Sequence, residues 1–369
     1  MAVYKIFPEK DATLYSEYPN MNSGIDEIIE ATTAETIAGT PTVSRFLIKF
    51  NQSQITDIIS NKVTGSLAAY LRVFVAKVEG LGQETTLYNY AVSGSWQNGT
   101  GKYLDSPATE NGVSWNFRIT SGSGNWLTGS FGTTGATASF SASNPGGGNW
   151  YTSSTYIQSA SYQYRSEFDI LLNTTNTVLA WYSGSIANDG FLIKQDDAAE
   201  FSTDPAKRVE FKYFSVDTNT IYPPQLEFRW NDFVYNTGSS TQTVVNTADL
   251  VATLPNNTGT FFSESIQRFR INVRPQFPPR VFSTSSFYTV NYYLPTASYW
   301  SIKDLDTNEV VINFDSTYTK ISADSNSSYF DVYMNGLEPE RYYQILIKTT
   351  VDGTTKVLDD QYYFKVVNG

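Results

Sequence analysis

The 369 residues include neither histidine nor cysteine, so the side chains able to do chemistry are carboxylates, hydroxyls, amides, lysines and guanidinium groups. Ser-His-Asp and Cys-His catalysis, thiolate zinc sites, histidine metal sites and disulfides are thereby excluded. Carboxylates remain, as acid–base pairs or as ligands for hard cations. Asp304, Asp306 and Asn308 alternate as in a calcium loop. An EF-hand also needs the later glycine, a bidentate glutamate and helical flanks, whereas strand-like text flanks this segment, so a hairpin turn is expected. Asp196, Asp197 and Glu200 either supply oxygen ligands to a structural calcium at a sandwich edge or form a solvated loop. The separation of two carboxylates decides glycosidase chemistry, and a sequence does not give it. No catalytic, cofactor-binding or metal-binding residue and no cofactor is therefore expected, and an acid-catalysed glycosidase is only the third reading.

Two further groups of residues point to binding. Arg268, Arg270 and Arg274 fall on one face of the strand Arg268 to Pro275, while Phe269, Ile271 and Val273 fall on the other. With Arg280 they concentrate four arginines in an acidic chain. Such a stripe either docks an acidic neighbour through bidentate contacts or guards an edge strand against unwanted pairing. Pro275, Pro278 and Pro279 make the following segment stiff and extended. The second group lies between Tyr90 and Tyr164, where Gly, Ser, Thr, Asn and aromatic residues dominate and Trp96, Trp115, Trp126 and Trp150 stand out. Either long hairpins extend one end of a sandwich with the tryptophans tucked against it, or exposed aromatics such as Trp126 and Trp150 stack on a sugar or clamp a neighbouring subunit.

The elements that must position these residues are strands. Aromatics make up 15% of the chain, with 26 Tyr and 23 Phe against 3 Met, a composition favouring β structure. Arg45 to Phe50 is a dense buried strand, and Leu71 to Val78 alternates as one half-buried strand. Ile55, Ile58 and Ile59 mark a helical turn within Gln54 to Asn61. The stretch Phe168 to Trp230 is the most fold-specific: Asn188-Asp189-Gly190 turns the chain into an apolar strand, and Pro223-Pro224 breaks it before an alternating strand. Trp230 to Leu250 is rich in Asn, Thr and Ser and reads as a linker. Beyond it, short strands at regular spacing, with turns at Asp304 to Glu309 and Val351 to Thr354, indicate a second sandwich.

The order of Asp11 to Tyr15, Pro19 to Gly24, Arg45 to Phe50, Leu71 to Val75, Trp96 to Gly101, Gly112 to Trp115, Trp181, Asn188 to Lys194 and Pro223 to Phe228 resembles that of DNRLRE-type domains over roughly residues 1 to 233. The resemblance implies a carbohydrate-binding-module-like jelly roll, found in bacterial surface proteins and phage structural proteins; Gly146-Gly147-Gly148 departs from the compact family pattern. Gly336-Leu337-Glu338-Pro339 with Tyr343 resembles the corner of fibronectin-like domains, in which the proline bends the chain and the tyrosine pins the loop. The tail, with Trp300, also resembles the carboxy-terminal module of virion structural proteins in large tailed phages.

The expected architecture is all-β. A jelly-roll β-sandwich spans 1–233, with the Trp-rich insert at about 90–164; a linker at 234–249 leads to an immunoglobulin-like or fibronectin-type-III-like β-sandwich at 250–369. Net charge is −11, which argues against a nucleic-acid partner. No run approaches the roughly 20 apolar residues of a membrane span, and Met1 to Phe7 lacks a signal-peptide core. Together these readings point to a non-enzymatic structural component of a tailed-phage virion, assembled in the host cytoplasm within a symmetric multi-subunit structure and partnered by other virion proteins. The alternative is a module recognising host surface glycan through the insert's tryptophans.

Overall fold

The computed structural model describes residues 2–35, 41–120, 123–126, 146–200, 202, 204–238, 243–246, 249–277 and 291–369. Arg280, Pro278, Pro279, Phe201, residues 127–145 of the insert and 287–290 of the strand expected at Phe287 to Leu294 lie outside them. Strands dominate, as the all-β reading expects. The chain divides into two compact units: Ile6–Lys62 with Ala68–Glu227, and Phe228–Gly369 with Met1–Lys5 and Val63–Leu67.

The first unit is a jelly-roll-like sandwich centred on an eight-stranded sheet. In spatial order its strands are Ile157–Tyr162, Thr85–Ala91, Phe191–Gln195, Pro41–Phe50, Ile28–Glu35, Glu210–Phe214 and Val75–Glu79, with Pro8–Tyr15 also pairing with Pro41–Phe50. Phe191–Gln195 is buried at every position, and Pro41–Phe50 is buried from Val43 to Ile48. Strands apolar on both faces must be covered on both. Alternation sends Phe46, Ile48, Phe191 and Ile193 one way; Phe46 meets the ring of Tyr213, and Phe191 meets Trp181. Leu47 and Leu192 go the other way, into a cluster with the tryptophans of the insert.

Leu71 to Val78 is not one strand. Leu67–Val73 pairs with Ile170–Asn173, whereas Val75–Glu79 pairs with Glu210–Phe214. The switch falls at Phe74, whose ring packs on Tyr222 while the Asp169 carboxylate takes the Val75 amide at 2.9 Å. A strand that changes sheets at a corner keeps its alternation, which is why the sequence reads as continuous. The helical turn after Phe50 is the full helix Gln52–Asn61, capped by the Asn51 side chain, with Ile55 and Ile58 buried. A second helix, Thr175–Ser183, was not anticipated; Gly184, left-handed at φ 75°, is its stop signal.

The second unit is a two-sheet sandwich. One sheet has six strands, with Ile266–Pro275 and Ser328–Tyr333 at its centre. The other has five, in the order Thr260–Phe262, Thr354–Val367, Tyr342–Val351, Ser298–Asp304 and Val310–Ile312. Phe269, Trp300, Phe330, Tyr343 and Phe364 fill the space between. Asp352 and Gly353 both have positive φ, 50° and 75°, as the expected tight hairpin between Val351 and Thr354 requires. Tyr343 donates its hydroxyl to the Glu338 carbonyl at 2.9 Å, the bond expected of the fibronectin-like corner. Tyr343→Phe removes that bond alone and is expected to lower stability by about 1 kcal/mol in urea unfolding, with an unchanged m-value.

The division differs from the expected boundaries at 1–233 and 250–369. Val245, within the expected linker 234–249, is buried in the second core. Thr243–Val244 runs parallel to Tyr292–Tyr293, and the Tyr235 hydroxyl bonds the Leu294 carbonyl. Polar composition hid this, because an edge segment needs only a few apolar anchors when its backbone bonds are taken by a sheet. Val3 joins the same core, and Tyr4 packs edge-on against Tyr333 at 5.4 Å.

Candidate functional site

Three of the sequence motifs meet at one buried side chain. The Asn22 amide donates to the carbonyls of Asn98 and Val113 at 2.6 and 2.8 Å, and its oxygen accepts from the Gly101 and Gly24 amides at 2.8 and 3.2 Å. Asn98 returns a bond to the Gly24 carbonyl. The turn Pro19 to Gly24 is thus tied to both Trp96 to Gly101 and Gly112 to Trp115. Packing is so close that a Cβ on Gly101 would lie 2.4 Å from the Asn22 carbonyl oxygen, which accounts for the glycine.

The loop fastened there is also held by Asp26. Its two carboxylate oxygens take the Tyr103 amide at 3.0 and 3.1 Å, and the Tyr103 ring packs on Tyr15. Partial burial, with the charges of Asp105 and Glu27 nearby, raises the Asp26 carboxyl to about 6 despite the Tyr103 amide and Lys102. The ordinary value is 3.8. The protonated form therefore favours folding: its contribution is complete below pH ~4 and is lost as pH rises through ~6. Asp26→Asn is expected to remove this slope, gaining on the native protein by about 1 kcal/mol between pH ~4 and ~6.5; the full linkage value is reduced because the carboxylate keeps much of its hydration. Chemical denaturation across that range reads the difference.

The insert's tryptophans are not a stacking surface. Trp126 and Trp150 are only 1% and 4% exposed, and Trp96 and Trp115 lie in the same cluster against Leu14, Leu47 and Leu192. Indole N–H groups need partners when buried. Trp96 donates to the Asp189 carbonyl at 2.8 Å and Trp126 to the Ser114 carbonyl at 2.9 Å. These rings cover the second face of the eight-stranded sheet, as the tucked-hairpin reading has it. Trp126 and Trp150 offer no face to a sugar or a neighbouring chain.

Beneath them lies a charge cluster that the sequence did not reveal. Arg45 makes a two-pronged contact with Glu200 at 3.1 and 2.8 Å and donates to the Gly147 carbonyl at 2.9 Å. Lys194 reaches Glu200 at 3.0 Å and Asp197 at 2.8 Å. The side chains of Arg45, Lys194 and Glu200 are all 0% exposed. The Arg45 guanidinium also lies 5.0 Å from the Trp115 ring centre. Asp196 caps the Ala199 amide. The acidic group 196–200 is thus committed to cations and a backbone amide, and among the described residues no cluster of acidic side chains is arranged to hold a metal. Asp304 is similarly engaged: it accepts the Asp306 and Thr307 amides and two Arg341 nitrogens, at 2.6 and 2.8 Å. Burial pushes its carboxyl up, but Arg341 and the amides outweigh this and hold it below the ordinary value. Asn308, at φ 63°, completes a hairpin turn.

The arginine stripe is where alternation put it, on the outer face of Ile266–Pro275 with Phe269, Ile271 and Val273 facing the core. Its charges, however, are largely spent within the sheet. Arg268 forks onto Asp331, directly opposite, at 2.8 and 2.9 Å. Arg270 forks onto Asp324 at 3.1 and 2.9 Å and also reaches Ser327. Burial opposes ionisation of Asp324, but Arg270 and the amides of Asn326 and Ser327 bring its carboxyl down to about 2. Tyr329 lies between the two guanidiniums, with its ring centre 4.2 and 5.8 Å from them. Arg274 donates to the carbonyls of Pro275 and Gln276. The result is a ladder, Asp331, Arg268, Tyr329, Arg270, Asp324, rather than a bare cationic stripe.

No protein-family model matches the chain, and no curated protein matches it. Among solved structures, the crystal structure of a DUF4785 family protein from Legionella pneumophila subsp. pneumophila str. Philadelphia 1 is 8% identical. The match covers 100% of this chain and 69% of that one at a TM-score of 0.17, too low to carry an argument.

Proposed function

We propose that the protein is a non-enzymatic structural component of a tailed-phage virion, assembled in the host cytoplasm and acting through contacts with neighbouring virion subunits. The observation that carries this reading is the ladder on the outer face of the second sandwich. Arginine and tyrosine, with tryptophan, are enriched in interface hot spots. Here both are fixed by cross-strand pairing before any partner arrives, so little side-chain entropy is left to lose on docking. Because the guanidiniums already hold carboxylates, the face would be recognised by shape and by the Tyr329 ring more than by net charge. The resemblance of the first unit to domains found in phage structural proteins, and of the tail to a virion module, supports the same reading. So does the commitment of the acidic groups 196–200 and 304–306 to internal partners.

Arg268→Ala with Tyr329→Ala tests it. Exposed pairs of this kind add less than about 1 kcal/mol to folding, so thermal unfolding should shift little. A hot-spot pair is worth about 2 kcal/mol or more at an interface, so copies per particle should fall roughly thirtyfold when the variant replaces the native protein during infection. Normal incorporation would remove the ladder from the interface.

A further inference from the structure

The opposite side of the second sandwich has a different chemistry. On the five-stranded sheet, Trp300, Ile302, Tyr343, Ile345, Ile347, Phe364 and Val366 face the core, so alternation turns Tyr299, Lys303, Tyr342, Leu346, Lys348, Tyr363 and Lys365 outward. This side carries an unusual amount of uncovered apolar surface: Phe262 is 61% exposed, Tyr342 52%, Val357 48%, Tyr363 40% and Val310 37%. Strand register interleaves them with polar and cationic neighbours, Tyr342 opposite Lys365, Tyr363 opposite Gln344 and Val357 opposite Lys348, while Phe262 lies opposite Val367. Exposed apolar side chains gathered on one sheet face and rimmed by polar residues mark an interaction surface.

Its charges are not balanced as the ladder's are. Two of the carboxylates on this side are already engaged, Glu340 by Lys365 and Asp359 by Gln344. Lys348 lies over the rings of Phe314 and Tyr299, at 4.8 and 5.4 Å. Neither Lys303 nor Lys348 forms an ion pair with a carboxylate among the described residues. A chain of net charge −11 thus keeps two unmatched cations beside an aromatic surface.

We infer that this face docks an acidic protein surface with an apolar centre, supplied by a different subunit. A second copy of the same face would bring two more unmatched lysines to the contact, which disfavours a symmetric pairing through it. Nucleic acid fits poorly, because two cations in an acidic chain cannot follow a phosphate backbone. The inference rests on the virion reading for its setting but concerns a second surface, so the chain would touch one neighbour through the ladder and another through the lysine face.

The test uses the full chain in solution and a random Glu/Tyr copolypeptide as the acidic, aromatic probe, followed by fluorescence anisotropy. Saturable binding is expected, weakening with salt. Lys303→Gln with Lys348→Gln, and separately Tyr342→Ala with Tyr363→Ala, should each weaken it about tenfold, while Arg268→Ala with Tyr329→Ala leaves it unchanged. Circular dichroism melts confirm that each variant is folded. The inference fails if binding is absent, if neither lysine-face variant alters it, or if duplex DNA binds as tightly as the copolypeptide. No particle enters this assay, so its failure would leave membership of a virion untouched, and absence from virions would leave the surface measurement standing.

Discussion

Glu200→Ala is expected to cost the first unit about 3 kcal/mol or more, a large share of the stability of a typical domain. The reason is the company Glu200 keeps. Arg45 and Lys194 are completely buried, and Glu200 is the carboxylate that both contact. Removing it takes from Arg45 both prongs of its carboxylate contact and from Lys194 one of its two, while Lys194 keeps Asp197 and a backbone carbonyl. A buried cation without its counter-charge carries a desolvation cost that the Coulomb attraction no longer offsets. Replacing all three residues by apolar ones of similar size removes the charges together, and is expected to restore most of the loss. Urea unfolding of the two variants separates the explanations. If the single variant lost under about 1 kcal/mol, the cluster would be far better hydrated than its burial implies.

Asn22→Ala should have an effect of similar size for a different reason. Four backbone groups depend on that one side chain: the carbonyls of Asn98 and Val113 and the amides of Gly101 and Gly24. Alanine leaves them unpaired at a cost of about 1 kcal/mol each, so a total of about 4 kcal/mol is expected. Asn22→Asp keeps the acceptor but turns the donor against two carbonyl oxygens, and should be no milder. Hydrogen exchange localises the effect: the Gly101 amide should lose protection in Asn22→Ala, while the Phe269 and Ile271 amides of the second sandwich keep theirs. Uniform loss of protection across both units would contradict this local account.

Much of the architecture was legible because it is written in short-range signals. The dense run Arg45 to Phe50, the turn before Phe191, the hairpin at Asp352-Gly353 and the Tyr343 corner each depend on neighbours within a few residues. What escaped the sequence was long-range. Asn22 meets Val113 91 positions away, Arg45 meets Glu200 155 positions away, and Arg268 meets Asp331 63 positions away. Alternation correctly put Arg268 and Arg270 on one face, but it does not say that the facing strand carries the carboxylates that neutralise them. The four tryptophans left two readings open for the same reason. A polar, glycine-rich setting leaves exposure open, and burial followed only from the second apolar face of Phe191–Gln195, which needed a cover. The expected linker is tied into the second sandwich by Val245 in its core and by the Thr243–Val244 pairing and the Tyr235 hydroxyl, long-range partners that its composition does not show.

The central claim is membership of a virion, and immunogold electron microscopy tests it most directly, using antiserum against this protein on intact particles purified from an infected lysate. Discrete labelling at one position on the particle, head, neck, tail or baseplate, is the predicted result. Unlabelled particles, together with no trace of the protein in their denatured proteome, would contradict it.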